Sequence, residues 1–306
     1  MTSLLLTAIF LATPGGEVRH RFLGVDESRH QLIYVDQFDA TKNWVIPSPV
    51  KRRDVQLIGK GRVMWGGADG YQEYRLSDQK LVKEVTGFPG VAAARRQPDG
   101  RTILACNEEK GKVTVVELSP DDKPLRKASF AVPSTRLLRM TPQGTFLFGA
   151  VNQIVEGDFQ GRMLKSIMLA KGSWAYHVLR RPDGHLILAA GYQPCFYELD
   201  AAGKILRTIG GKDSPEGKSL GLHFFAGFQI LKNGNLVVSN WTGHGPNDSE
   251  KGVQLVEYSP QGKLVWKWHD AKLAGSIDGV IVLDGLDPAL LQDDVSGVLG
   301  PVEKSR

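Results

Sequence analysis

A glycine turn followed by a short apolar run recurs five times along this chain, and no other feature restricts its fold as strongly. The copies are IGKGRVMW at Gly61, QPDGRTIL at Gly100, TPQGTFLF at Gly144, RPDGHLIL at Gly184 and LKNGNLVV at Gly234, spaced by 39, 44, 40 and 50 residues. A period of about 40 to 50 residues made of strands and turns belongs to propeller blades, four-stranded sheets that cannot cover both faces alone and so stack around a ring. Apolar and polar residues alternate in KVTVVELS and NLVVSN, which is strand periodicity, so a solenoid of helices is excluded. The 35 Gly and 16 Pro, gathered in short clusters, agree with many short strands joined by tight turns.

A second turn lies inside the units, in DFQGRML near Gly161, DAAGKIL near Gly203 and SPQGKLV near Gly262. Each unit therefore reads as strand a, glycine turn, strand b, variable loop, strand c, second turn, strand d. Five units run from about Arg52 to Asp270, and the two ends supply a sixth. Phe22 to Val45 lies without a gap over Ile103 to Arg126, matching Asp26 with Asn107, Glu27 with Glu108 and Asp36 with Glu117, so it provides strands b, c and d only. The missing strand a is SIDGVIVLDG, Ser276 to Gly285, which aligns with VAAARRQPDG, Val91 to Gly100. The expected fold is an all-β six-bladed propeller, its ring closed by a C-terminal strand a joining the N-terminal strands b to d, which leaves no free sheet edge at the join. It occupies residues 17–288, with 1–16 as a leader and 289–306 as a C-terminal tail.

Hydrophobic residues at 42% and charged residues at 23% exclude collagen, disorder and a polytopic membrane protein. The net charge of +5 is spread among acids with no Lys/Arg block, which argues against nucleic acid as a partner. Cys106 and Cys195 sit in no CxxC or zinc-ligand pattern and read as small buried hydrophobes. The apolar run Leu4 to Ala12 is too short to span a bilayer and has the length of a signal-peptide core, so the expected location is periplasmic or secreted, and cytoplasmic if this segment is no signal. No integral membrane span is expected, and the protein is expected to be a monomer.

The repeat also separates scaffold from function, because a residue type present in every blade serves the ring. The acid before the second turn, Asp36, Glu117, Glu156, Glu198 and Glu257, is read in this way, as an acceptor for turn N–H groups. At the start of strand a, where each blade opens onto the channel mouth, the residues differ: Arg53 and Asp54, Ala93, Arg136, Tyr176 and His177, Gly227, Asp278. A strand facing only a neighbouring blade would be apolar here, so the column marks a solvated mouth able to hold a ligand. Two long connections in one blade, Gly210 to Phe224 and Asn240 to Gly252, add His223, Asn240, Trp241, Thr242 and His244 to that face, with Gly243 and Gly245 letting the chain turn around His244.

His177, His223 and His244 are the candidate catalytic residues, and with Asp54 and Asp278 they suit either a His/carboxylate metal site or a general acid/base pair. Arg53, Arg95 and Arg136 suit a carboxylate, sulfate or phosphate, and Tyr176, Asn240 and Trp241 complete the candidate ligand-binding set. Trp266 and Trp268 in GKLVWKWHD are expected to pack structurally, one against the next blade and one toward solvent. GxSxG, HExxH, Walker and GxGxxG motifs are absent, so the sequence assigns no metal and no cofactor.

The segments LHFFAGFQILKNGNLVVSNWTGHGP, Leu222 to Pro246, and GKLVWKW resemble bacterial exported six-bladed propellers of the NHL and quinoprotein-like kind. This resemblance spans most of the ring and implies fold and export without an activity. The GKLVWKW strand is also similar to those of arylsulfotransferase propellers, which implies a catalytic histidine on the channel face. Pyrroloquinoline-quinone dehydrogenases share the look of this strand but have eight blades, so no quinone is implied. The functional expectation is an exported propeller that binds a small polar or anionic ligand, a carbohydrate derivative among the candidates, at the channel mouth. The alternative is a transferase, lyase or hydrolase using a channel-face histidine.

Overall fold

The computed structural model describes residues 17–293 and 300–302. The segment expected to be a leader, 1–16, lies outside the described residues. Five four-stranded antiparallel units follow one another as the repeat requires. The first of these, blade 2, is β4 (Asp54–Gly59), β5 (Arg62–Gly67), β6 (Gly70–Arg75) and β7 (Leu81–Val85). Blade 3 is β8 (Val91–Arg96), β9 (Thr102–Glu109), β10 (Lys112–Leu118) and β11 (Pro124–Phe130), and blade 4 is β12 (Leu138–Met140), β13 (Phe146–Ala150), β14 (Gln153–Gly157) and β15 (Met163–Met168). Blade 5 is β16 (His177–Arg180), β17 (Leu186–Ala189), β18 (Cys195–Leu199) and β19 (Ile205–Gly210). Blade 6 is β20 (Phe225–Ile230), β21 (Leu236–Asn240), β22 (Leu255–Tyr258) and β23 (Leu264–Trp268). Gly61, Gly100, Gly144, Gly184 and Gly234, in the turns that join strand a to strand b, all have positive φ, from 66° to 88°, which is why glycine marks the repeat.

Blade 1 joins the chain ends. β1 (Arg21–Asp26), β2 (Gln31–Asp36) and β3 (Trp44–Pro47) supply strands b, c and d, and β24 (Ile277–Val282) pairs antiparallel with β1 as strand a, Phe22 opposite Val282 and Leu23 opposite Ile281. The result is the six-bladed ring with C-terminal closure that the repeat implies. Period-2 alternation sends successive side chains to opposite faces, and each face is claimed by a different neighbour. In β1, Phe22 packs with Trp266 and Trp268 of blade 6, whereas Leu23 and Val25 pack with Val55, Leu57 and Trp65 of blade 2. Each of the six blade-to-blade seams holds such an apolar cluster.

Three features depart from the sequence reading. Trp266 and Trp268 are both buried, and both rings meet Phe22 edge-on, at 6.0 and 5.0 Å. Residues two apart in a strand share a face, so it is the intervening Lys267 that turns to solvent. The repeated acids act as side-chain hubs more than as turn acceptors. Asp36 does accept from Phe38 N and Asp39 N, but Glu117 pairs with Arg101 and Arg126, Glu156 with Arg180 of the next blade, and Glu198 with Arg181 and Arg207. The extra methylene of Glu carries its carboxylate beyond the turn. The turn N–H groups are taken instead by Ser119, Asp158, Asp200 and Ser259, further along. Finally, the stretch after Pro288 does not leave the ring. β25 (Leu291–Asp293) pairs with the innermost strand β4 through Leu291 and Ile58, with β26 (Gly300–Val302) on its other edge. Gln292 is buried there, its carbonyl accepting from Gln56 Nε2 at 2.6 Å and its Oε1 from Leu57 N at 3.2 Å.

Candidate functional site

The strand a column divides into two layers, since neighbouring residues of a strand cannot face the same height of the channel. The outer layer, Arg53, Arg136, Tyr176 and Asp278, lines an open pocket at the mouth together with Glu27, Trp241 and His244. The inner layer, Asp54, Arg139 and His177, borders a separate narrow gap together with Gln292. Arg53 borders both.

The long connections of blade 6 build one wall. The first carries α1 (Pro215–Leu220), capped by Ser214 Oγ on Gly217 N at its start and by the left-handed Gly221 at its end. The second is pinned by Asp248, whose carboxylate accepts from Gly245 N and lies against Gly243, where φ is 143° and a side chain would collide with it. Asn240 ties the two together. Its Oδ1 accepts from His223 N and Phe224 N, and its Nδ2 donates to Gly221 O and Val253 O. Asn240 thus holds up the wall from behind and does not line the pocket.

Edge-to-face rings continue this wall from Trp174 through Tyr192 (6.0 Å), Phe224 (4.7 Å) and Trp241 (5.5 Å) to His244 (4.7 Å). Glu27, from the loop after β1, stands at its end. Its carboxylate accepts from Lys51 Nζ at 2.8 Å and Trp241 Nε1 at 3.2 Å, and His244 Nδ1 lies 3.0 Å from both of its oxygens. Burial would raise the Glu27 carboxyl, but these donors outweigh it and hold the group below the ordinary carboxylate range.

Across the pocket, Arg53 lies 3.8 Å from Glu27 and 3.8 Å from Asp278, one cation between two acids. The half-buried Arg136 forms no ion pair among the described residues; its guanidinium donates to Thr135 O at 3.3 Å and lies 5.8 Å from the Trp174 ring centre. Asp278 is buried, with Tyr176 Oη donating to its Oδ2 at 3.3 Å. Burial lifts its carboxyl well above the usual range against the pull of Arg53, and burial likewise keeps Tyr176 a neutral phenol.

The three candidate histidines separate. His244 lines the pocket, His223 is exposed at the rim with its ring 5.9 Å from Trp241 and 6.0 Å from Tyr192, and His177 is buried in the inner layer. There Phe228 N donates to His177 Nδ1 at 3.2 Å, and burial, followed by the charges of Arg139 and Arg95, keeps the ring neutral. Asp54 and Arg95 also lie inside, where Asp54 joins Arg139 at 3.0 Å and Arg95 at 3.4 Å. Among the described residues no group of three or more His, Cys, Asp and Glu side chains is placed to hold a metal ion. Glu27, Lys51, Trp174, Tyr192 and Phe224 were not singled out from the sequence. Glu27 was the most accessible of these, since it ends strand b on the face that carries the other loops.

No protein-family model matches the chain, and no curated protein sequence matches it. Among solved structures it is similar to a protein of unknown function from Bacteroides caccae (21% identity, TM-score 0.72, 86% of this chain and 98% of that one). It is also similar to a streptogramin B lyase (11%, 0.54, 82% and 80%) and to the calcium-binding protein regucalcin from Agrobacterium tumefaciens (12%, 0.52, 83% and 93%). At these identities the likeness is one of fold. No helix among the described residues is long and apolar enough to cross a membrane.

Proposed function

We propose that the protein binds a small anionic ligand at the channel mouth, with the anion on Arg136 and the body of the ligand against the aromatic wall. The observation that carries this reading is Arg136, a half-buried guanidinium without an acidic partner among the described residues, opening onto a pocket walled by Trp174, Tyr192, Phe224 and Trp241. Guanidinium is the side chain best matched to a two-oxygen anion, and a ring-bearing ligand gains by packing on Trp and Tyr faces. A uronic acid or another acidic carbohydrate derivative meets both demands. Export through the segment 1–16 is part of this reading and is tested separately by the N-terminus of the mature protein.

A thermal-shift screen of sodium salts of carboxylates, sulfonates, phosphates and uronic acids tests the reading, since a ligand at 100 times its Kd stabilises by about 2.7 kcal/mol. Arg136→Gln should erase the shift. A hit that Arg136→Gln leaves unchanged would refute the assignment.

One observation favours a second reading, an enzyme of the lyase, transferase or hydrolase type. Glu27 faces His244 Nδ1 at 3.0 Å, and in the tautomer that donates from Nδ1 the basic nitrogen is Nε2, the arrangement of a general base steered by a carboxylate. A similar fold carries lyase chemistry in the streptogramin B lyase. Under this reading His244→Ala loses turnover of the ligand but keeps its binding, whereas under the first there is no turnover to lose.

A further inference from the structure

The two carboxyl groups of the pocket are provided for unequally. Glu27 has donors on both oxygens, from Lys51, Trp241 and His244. Asp278, only 3% exposed, lines the pocket and receives one hydrogen bond on Oδ2, while its buried Oδ1 has no hydrogen-bond partner among the described residues. Arg53 at 3.8 Å is beyond hydrogen-bond reach. The charged and titratable groups around Asp278 are Arg53 beside β4, Asp26 at the end of β1, Glu27 beyond it, Tyr176 before β16, Arg136 before β12 and His244 on the blade 6 loop. Asp26 is occupied by Ser28 Oγ, Gln31 Nε2 and the N–H groups of Arg29 and Gly275, none of which comes from Asp278. A carboxylate oxygen out of water with no donor is costly, and a neutral carboxylic acid incurs a smaller penalty there, which a ligand acceptor for its proton would relieve.

Resting on the anion-binding reading above, we propose that Asp278 is carried in the folded protein as a neutral carboxylic acid. Its Oδ1–H donates to one oxygen of the bound anion while Arg136 takes the other, so that the pocket selects a monoanion of the carboxylate or sulfonate class. Tyr176 donates to Oδ2, which leaves Oδ1 as the oxygen that carries the proton. The raised Asp278 carboxyl agrees with this state. Binding then couples to a proton. Affinity is constant at pH values where Asp278 is already protonated and falls by about tenfold per pH unit above its free-protein pKa, because the proton must be taken up for the anion to stay.

Benzenesulfonate remains ionised across the accessible pH range, so protons counted with it belong to the protein. Calorimetric titration of the full chain with this probe from pH 5 to 9, in buffers of different ionisation heat, should give that decline with uptake of up to one proton. Asp278→Asn keeps an N–H donor of the same shape and should bind with the wild-type low-pH affinity without the decline, while Asp278→Ala should lose tenfold or more at every pH. A decline that persists in Asp278→Asn assigns the proton to another group, such as His244, and overturns the proposal. Infrared difference spectra of wild type minus Asp278→Asn at pH 6 provide a readout free of ligand. A carboxylic acid carbonyl band is expected, and a carboxylate band overturns the proposal even if the probe binds. A protonated Asp278 in a protein that binds neither benzenesulfonate nor benzoate overturns the anion reading, and the donor role with it.

Discussion

Replacing His20 by Ala should loosen the ring at the join between its first and last blades. His20 precedes β1, and its ring sits between Glu257 Oε2 on β22 and Asp284 Oδ2 just after β24, each at 2.8 Å, and lies edge-to-face with Trp266 at 4.7 Å between ring centres. One side chain thus ties the N-terminal strands, the closing strand and blade 6. Glu257 is buried and, among the described residues, keeps only Asn235 as a donor once His20 is gone. Breaking a buried pair in this way costs about 3–5 kcal/mol, and the partial exposure of Asp284 argues for the lower end, roughly 3 kcal/mol including the lost ring contact. At about 2–3 °C per kcal/mol for a domain of this size, Tm should fall by roughly 6–9 °C. The same geometry fixes a pH dependence. Burial lowers the pKa of His20, but the hydrogen bonds to Glu257 and Asp284 outweigh it and the net shift is upward. A group whose folded pKa is raised contributes fully below its unfolded value, about 6.5, and loses that contribution as pH rises through the folded value. Urea denaturation from pH 5.5 to 9 should therefore show wild type losing part of its margin over His20→Gln as pH rises. A margin that is flat over that range, or a His20→Ala cost under about 1 kcal/mol, would refute the clasp.

Four further outcomes follow from particular contacts. Asn240→Ala removes four hydrogen bonds that join the long loops of blade 6, and should cost about 2–4 kcal/mol by urea denaturation while weakening any ligand of the pocket indirectly. Deleting residues 276–306 removes strand a of blade 1 and should give an aggregating or unfolded chain, whereas native-like melting would sink the closure. Deleting 289–306 alone should leave a folded ring but lower its stability by about 2 kcal/mol or more, because Leu291 and the hydrogen bonds of Gln292 are lost from β4; an unchanged denaturation midpoint would show that this segment contributes nothing. Neither cysteine should react with a thiol reagent at pH 8 until the protein is unfolded, since both are buried, with burial pushing Cys106 up to about 12 and Cys195 up to about 11.

The ring was legible because its cause is written five times. A turn that needs positive φ shows as glycine, and the strands on either side show as alternation, so the blade repeat is visible without any partner sequence. Closure was legible for the same reason, since Ser276–Gly285 copies a strand a that has no b, c and d after it. The repeated acids were less so. Their position recurs, but whether a carboxylate stays at its own turn or crosses to Arg180 or His20 depends on side-chain length and on which blade comes next. Trp266 and Trp268 show the opposite failing, as their spacing of two already placed both on one face.

The pocket was legible as a region and not as a set. Counting back from the turn glycines found Arg53, Arg136, Tyr176 and Asp278, yet the same column delivered Asp54 and His177 to a different layer, because adjacent residues in a strand differ in height and facing while a column of letters does not. Composition could not separate the layers either, as both are polar. What separates them is solvation. His177, sealed under the mouth and kept neutral, is a poor carrier of protons, whereas the exposed His244 reaches both water and Glu27. Glu27 entered the sequence analysis only as the match of Glu108 in blade 3, and a glutamate at both positions gave no reason to single it out. In blade 3 Glu108 is exposed; in blade 1 the long loops of blade 6 bring Trp241 and His244 onto Glu27. A residue that repeats can therefore still belong to the site when only one copy meets a non-repeating partner. The partner, not the residue, marks the place where the ring departs from its symmetry.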